Sequence, residues 1–180
     1  MKNRPIILTI LCCVSLLSCG RAAPAAQSVW PADIQRGANV CIFPGWPDRY
    51  SEEDIAHLAL DWRANSVRVL VNDLVPNTPP YQVDDSTRAD FFKLIDYCLK
   101  YRLYTVIAIS TSFGDMDPLF TNDDQKAAFR DFWVEIAERY VSAEGVAYDL
   151  YNEPHGNAAD TAWSGYAREL TDAILSLIHI

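Results

Sequence analysis

Positive charge is scarce in this 180-residue chain: 15 Lys and Arg stand against 24 Asp and Glu, a formal net charge of −9. No basic stripe is available to displace counterions from a phosphate backbone, which excludes a nucleic acid as partner. Glycine is also sparse, at 7 residues. None of it forms a phosphate-cradling loop after the first expected strand, where Phe43-Pro44-Gly45-Trp46-Pro47 stands instead, so a nucleotide ligand is excluded too. The 5 cysteines lack the paired spacing of a zinc site, and nothing in the chain implies a metal or any other cofactor. Long apolar runs are missing: the stretch from Pro5 to Leu17 is too short to span a bilayer as a helix. There is no tandem repeat and no low-complexity segment. What remains, 50% hydrophobic and 22% charged residues, is the composition of one ordinary folded domain.

The N-terminal stretch reads as an address rather than as fold. Lys2 and Arg4 precede the apolar run, which ends in Leu16-Leu17-Ser18-Cys19-Gly20. That ending resembles a bacterial lipobox, although Leu17 is a less usual residue at its place. The resemblance implies a signal over residues 1–19, lipid on Cys19, and a cell-envelope protein held on the membrane by acyl chains alone; ordinary secretion is the alternative. Residues 20–35, with an Ala-rich stretch from Arg21 to Ser28, form a tether. Cys12 and Cys13 leave with the signal, so only Cys41 and Cys98 remain in the domain over residues 36–180. One falls in an expected strand and the other in an expected helix, which weighs against a disulfide between them.

From Arg36 onward, short apolar runs alternate with stretches of helical period, the pattern of a parallel sheet wrapped by helices. Strands are expected at Gly37 to Ile42, Ser66 to Val71, Thr105 to Ile109 and Val146 to Tyr151, each apolar enough to be covered on both faces. Ser51 can cap a first helix with Ile55, Leu58, Ala59 and Trp62 inward. A second helix runs from about Ser86 to Tyr101 with Phe91, Phe92, Ile95, Cys98 and Leu99 inward. Asn122 caps a third whose stripe is Phe129, Phe132, Trp133, Ile136, Ala137 and Tyr140, and Thr161 opens a fourth with Trp163, Tyr166, Ala167, Leu170, Ile174 and Leu177. These stripes read as core, not as cofactor contacts.

Tyr151-Asn152-Glu153-Pro154-His155-Gly156 follows the fourth strand, which puts a carboxyl group and an amide at a strand's carboxyl end, where barrel enzymes carry their chemistry. As a bare tripeptide, Asn-Glu-Pro could be a turn. Arg68 is a charged group inside an otherwise apolar strand, so a carboxylate should await it, for function or for stability alone. Together with Arg36-Gly37-Ala38-Asn39 at the first strand, these segments resemble glycoside hydrolase family 5, the cellulase-like barrel glycosidases.

The resemblance implies an α/β fold, a partial (β/α)8 TIM barrel comprising the first four strand-helix units. It implies a retaining hydrolase of β-linked polysaccharide or oligosaccharide, with Glu153 as acid/base, Asn152 on the sugar's 2-hydroxyl and Arg68 supporting the nucleophile. A carboxyl group shielded at a strand end can hold a proton near neutrality, as that role needs. His155 is a candidate polar wall of the sugar site or a turn residue. Trp46, Tyr81 and Phe113 lie in expected loops as candidate stacking residues, with Trp46 the first choice. The family often has a His at the end of its third strand; here Ser110 takes that place, which leaves the glycan less determined than the fold. The nucleophilic Glu of the family follows a seventh strand, so the 180 residues are expected to be an N-terminal half without hydrolytic activity. No specific protein partner is implied. Two other readings stay open: a non-catalytic glycan-binding surface lipoprotein, and a complete doubly wound domain with a small ligand at its strand ends.

Overall fold

A computed structural model of the chain describes residue 34 and residues 36–42, 50–111 and 117–177. Within these, the elements are β1 (Gly37–Ile42), α1 (Glu52–Leu60), β2 (Ser66–Val71), α2 (Asp85–Lys100), β3 (Tyr104–Ile109), α3 (Asp117–Thr121), α4 (Asp123–Tyr140), β4 (Val146–Asp149) and α5 (Asn157–Leu175). The residues read as a signal, Cys19 of the lipobox-like ending, most of the residues read as a tether, Trp46 and Phe113 lie outside the described residues.

The four strands form one parallel sheet in the order β1-β2-β3-β4, each paired with its neighbour in sequence. That order discriminates between architectures. Right-handed crossovers that always step the same way place every helix on the same face of the sheet, whereas a doubly wound domain needs a reversal of order to place helices on both. No reversal occurs here, so the fold is an open run of barrel units and the doubly wound alternative is set aside.

Burial along the strands follows from this one-sided wrapping. Val67, Val69 and Val71 of β2, with Ile107 and Ile109 of β3, are at most 3% exposed and join the helices in one core. The opposite face carries Arg68 and Val106, which are half-buried, and then Leu70 and Ala108, which are buried. Coverage on both faces was the expectation from the apolar sequence; the structure wraps one face in helices and leaves much of the other partly open. That second face is where a charged pair can sit.

The helices start where short polar side chains can take up free backbone N–H groups. Ser51 caps α1 in a reciprocal box: its Oγ accepts from the Asp54 N–H at 3.2 Å, and Asp54 Oδ2 accepts from the Ser51 N–H at 2.8 Å. Asp84 caps α2, its Oδ1 accepting from Ser86 and Thr87 N–H groups at 3.1 and 3.0 Å. Asn122 caps α4 as expected, through its Oδ1 and the Gln125 N–H at 3.0 Å. The fourth long helix, α5, begins at Asn157 and not at Thr161, because Gly156 at φ +113° turns the chain directly into it.

The stripe on α4 holds in full: Phe129, Phe132, Trp133, Ile136, Ala137 and Tyr140 are all buried. Trp62 is a correction. Helix α1 ends at Leu60, so the ring falls off the expected inward face and is 72% exposed. It borders a hollow of about 510 Å³ beside β1, whose other walls include Asn39, Tyr50, Asp54 and His57. Cys41 and Cys98 are both free thiols, and burial pushes the Cys98 thiol up to about 12.

Candidate active site

Register decides which side chains share the open face. Leu70 pairs with Ala108 and Ala108 with Asp149, so these form one layer across β2, β3 and β4. Arg68 lies two residues before Leu70 on the same face, roughly 7 Å back along the strand. Its long side chain reaches towards the carboxyl end and across β3, which presents only Val106 and the small Ala108 there. The guanidinium then meets Asp149: Nη2 donates to Oδ2 at 2.6 Å and Nε donates to the same oxygen at 3.0 Å. Nη2 also donates to Asn152 Oδ1 at 3.0 Å. The carboxylate that a charged residue in an apolar strand demands is therefore Asp149, 27% and 34% being the side-chain exposures of the pair.

The segment after β4 is pinned from below. Trp133 Nε1 donates to the Leu150 carbonyl at 3.2 Å. Tyr151 turns inward, 4% exposed, with its ring 5.7 Å from that of Phe129 and 5.9 Å from that of Trp163. Its hydroxyl lies 3.0 Å from Thr111 Oγ1 at the end of β3. Ser110, where the family often has a His, is buried and donates to Asn72 Oδ1 at 3.2 Å, so polar contacts link the carboxyl ends of neighbouring strands.

With Tyr151 anchored inward, Asn152 is half-buried and Glu153 projects outward, exposed. Glu153 adopts φ +51°, the left-handed region that a non-glycine residue occupies at a cost of order 1–3 kcal/mol. Such conformations persist where the surroundings hold them, and here the next turn does: His155 Nδ1 donates to the Glu153 carbonyl at 2.6 Å. His155 thus braces the turn that aims Glu153. The shelter expected around the Glu153 carboxyl group is not provided by the described residues, which leave the side chain open to solvent. Tyr81 is tied down, its hydroxyl accepting from Asn122 Nδ2 at 2.6 Å.

Arg68, Asn152 and Glu153 are therefore brought to one place, the carboxyl ends of β2 and β4. Asn39 is paired in register with Arg68 but is exposed. Asp149 is the functional candidate that the sequence reading did not name, although the signal was present: it is the second charged residue inside an apolar strand. Among the described residues no cluster of His, Cys, Asp and Glu could hold a metal ion, and no helix is long and apolar enough to cross a membrane.

Comparison with known proteins bears on the family and the fold. The family model for cellulase (glycosyl hydrolase family 5) matches residues 26–177. Cellodextrinase A of Ruminococcus flavefaciens is 30% identical over 137 residues, covering 71% of this chain and 39% of that protein. Endoglucanase Z of Dickeya dadantii (strain 3937) is 24% identical over 137 residues, covering 74% of this chain and 29% of that protein. Among solved structures, a mutant form of Thermotoga maritima Cel5A in complex with cellobiose superposes with a TM-score of 0.62 at 23% identity, over 80% of this chain and 51% of that one. The chain thus spans well under half the length of these curated relatives and about half of the solved barrel.

Proposed function

Because the chain belongs to the cellulase family, glycosyl hydrolase family 5, we propose that Glu153 is the acid/base of a retaining hydrolase of β-linked polysaccharide or oligosaccharide. The observation that carries this reading is the Arg68–Asp149–Asn152 cluster, built at the strand ends one residue before Glu153. In the proposed reaction the Glu153 carboxyl group gives its proton to the glycosidic oxygen as the bond to the anomeric carbon breaks. The resulting carboxylate then takes a proton from the water that releases the sugar. Asn152 meets the sugar's 2-hydroxyl. Glu153 is open to solvent among the described residues, and the bound sugar itself would close it off from water during the reaction.

Retention of configuration requires a second carboxylate about 5 Å from the first. The family resemblance places it after a seventh strand, and the described residues hold four. We therefore infer that these 180 residues by themselves take up sugar without hydrolysing it. Cellobiose titrated into the chain should move the Asn152 side-chain signals and release no glucose; glucose release would overturn the inference. In a longer, hydrolytically active form, Glu153→Gln should lower turnover of a cello-oligosaccharide by about 10²–10⁴-fold. An aryl cellobioside, whose leaving group departs without a proton, should form its glycosyl intermediate at a rate far less affected. An undiminished oligosaccharide rate would end the acid/base assignment.

The exposure of Glu153 favours one second reading, a surface protein that binds glycan without cleaving it. In that case Glu153→Gln leaves glycan binding intact and there is no hydrolysis to lose. For location, we propose export with lipid on Cys19. Metabolic labelling with palmitate that disappears in Cys19→Ala supports it, and equal labelling of both forms refutes it.

A further inference from the structure

We propose that Asp149 is a positioning residue, which fixes the Arg68 guanidinium so that Arg68 in turn decides which way round the Asn152 amide faces. The proposal rests on the reading of this place as a sugar site, and deepens it by setting the hydrogen-bond polarity of that site.

The chemistry of arginine sets what Arg68 can do. Its guanidinium donates and never accepts, and it is planar, so two donors engaged on one acceptor fix both its position and its plane. Nε and Nη2 of Arg68 both donate to Asp149 Oδ2, at 3.0 and 2.6 Å. The direction of the remaining Nη2 hydrogen is then no longer free, and it points at Asn152 Oδ1, 3.0 Å away. An asparagine amide has an oxygen and an NH2 group of nearly the same shape, and only its partners choose between the two orientations. A donor-only partner selects the oxygen. Asn152 must therefore turn Nδ2 away from Arg68, and the amide offers a donor beside Glu153. A sugar hydroxyl meeting Nδ2 accepts through its oxygen and keeps its own hydrogen for another group.

The placement of Asp149 suits this work. It is the last residue of β4, held in register with Ala108, and is separated from Arg68 by 81 positions. The bond between them crosses β3 where that strand presents Ala108, and a larger side chain there would stand in the way. An ion pair serving stability alone would have no need to include Asn152. Nor would it need to sit on the open face beside the residue whose backbone is held at φ +51°.

The test uses the 180-residue chain labelled with nitrogen-15. The Arg68 Nε–H signal is identified by its absence in Arg68→Lys, and the Asn152 Nδ2 pair by its absence in Asn152→Asp. In Asp149→Asn, the Arg68 Nε–H should exchange with solvent at least about tenfold faster, since its charged acceptor is gone. The Asn152 pair should shift at the same time, while the signals of α2 and α4 stay in place. Asp149→Glu, which restores the charge, should recover much of the Arg68 protection. A lowered melting temperature with both the Arg68 and Asn152 signals unmoved would mean a merely structural pair and would overturn the proposal. So would an Asp149→Glu variant, folded by the α2 and α4 signals, in which the Asn152 pair is unchanged while Arg68 has lost its protection. In an active longer form, Asp149→Asn should lower kcat about 10- to 100-fold with KM little changed, as misorientation of a contacting group does. If Glu153→Gln leaves sugar turnover intact while the Arg68 and Asn152 signals still move together in Asp149→Asn, the acid/base reading falls and the positioning relay stands.

Discussion

Gln125 offers a severe test of how the strand-end loops are held. It lies in the first turn of α4, its side chain is fully buried, and its Nε2 donates to the Pro76 carbonyl at 3.2 Å and to Asn77 Oδ1 at 2.5 Å. The segment joining β2 to α2 is tied to the start of α4 by these bonds. Replacing Gln125 by Glu keeps the shape and removes both donors. A carboxylate would then face the Pro76 carbonyl, which can only accept, at a buried position, while the neutral acid could still donate once. Burial of this degree raises a carboxyl pKa by as much as about 3–5 units, and each unit is about 1.4 kcal/mol.

The sign follows from proton linkage. With the folded pKa raised above the unfolded value near 4.3, the folded state binds more protons between the two values, so stability falls as pH rises. Below the unfolded pKa the ionisation penalty is absent; above it, the penalty should grow by about 1.4 kcal/mol per pH unit until the folded pKa is reached. The total, about 4–7 kcal/mol, is comparable to the whole stability of a small domain, so Gln125→Glu should be folded at pH 4 and largely unfolded at pH 8. Urea unfolding at half-unit steps from pH 4 to 8 measures this directly. Gln125→Met, which loses the two hydrogen bonds without gaining a charge, should cost about 1–3 kcal/mol at every pH. A Glu variant whose loss is the same at pH 4 and pH 8 would refute the reasoning, because the site would then be open to water.

Trp133→Ala should cost about 3–5 kcal/mol, because the ring is fully buried and its Nε1 holds the Leu150 carbonyl just before the site; calorimetry or urea midpoints would show it. Ser51→Ala removes one half of the α1 capping box and should lower stability by about 1 kcal/mol, with Ser51→Gly costing only a few tenths. Under native conditions at pH 8 an aromatic disulfide reagent should titrate Cys41 but not Cys98, whose thiol is buried and pushed up to about 12; rapid reaction of both would contradict the packing of α2.

Much of the fold was legible because the strands and helices obey local rules that their sequences state openly. The bounds of β1 and β2 were read to the residue, and the α4 stripe from Phe129 to Tyr140 was complete. What local rules do not carry is which turn geometry ends an element. The exposed Trp62 satisfied the helical period yet fell beyond the end of α1. The short helix α3 was not read from its sequence at all. The strand segments were also too apolar to reveal that the helices would lie on one side only, since Leu70 and Ala108 look the same in sequence whether they face the helices or the opposite side of the sheet.

The site shows a different division between what sequence states and what only folding supplies. Arg68 announces that a carboxylate must be near, because a guanidinium in an apolar strand is not tolerated alone. The sequence could not say which of 24 acidic residues answers it. The answer needs the register, since Asp149 reaches the Arg68 side chain only when β2, β3 and β4 pair so that Leu70, Ala108 and Asp149 share a layer. A shift of β4 by one residue would send Asp149 to the helix-packed face and leave Arg68 unpaired on the open one. The charged pair thus adds to the specificity of the sheet as well as to the site, and the demand of one half-buried cation helps fix the alignment that places Asn152 and Glu153 at the strand ends.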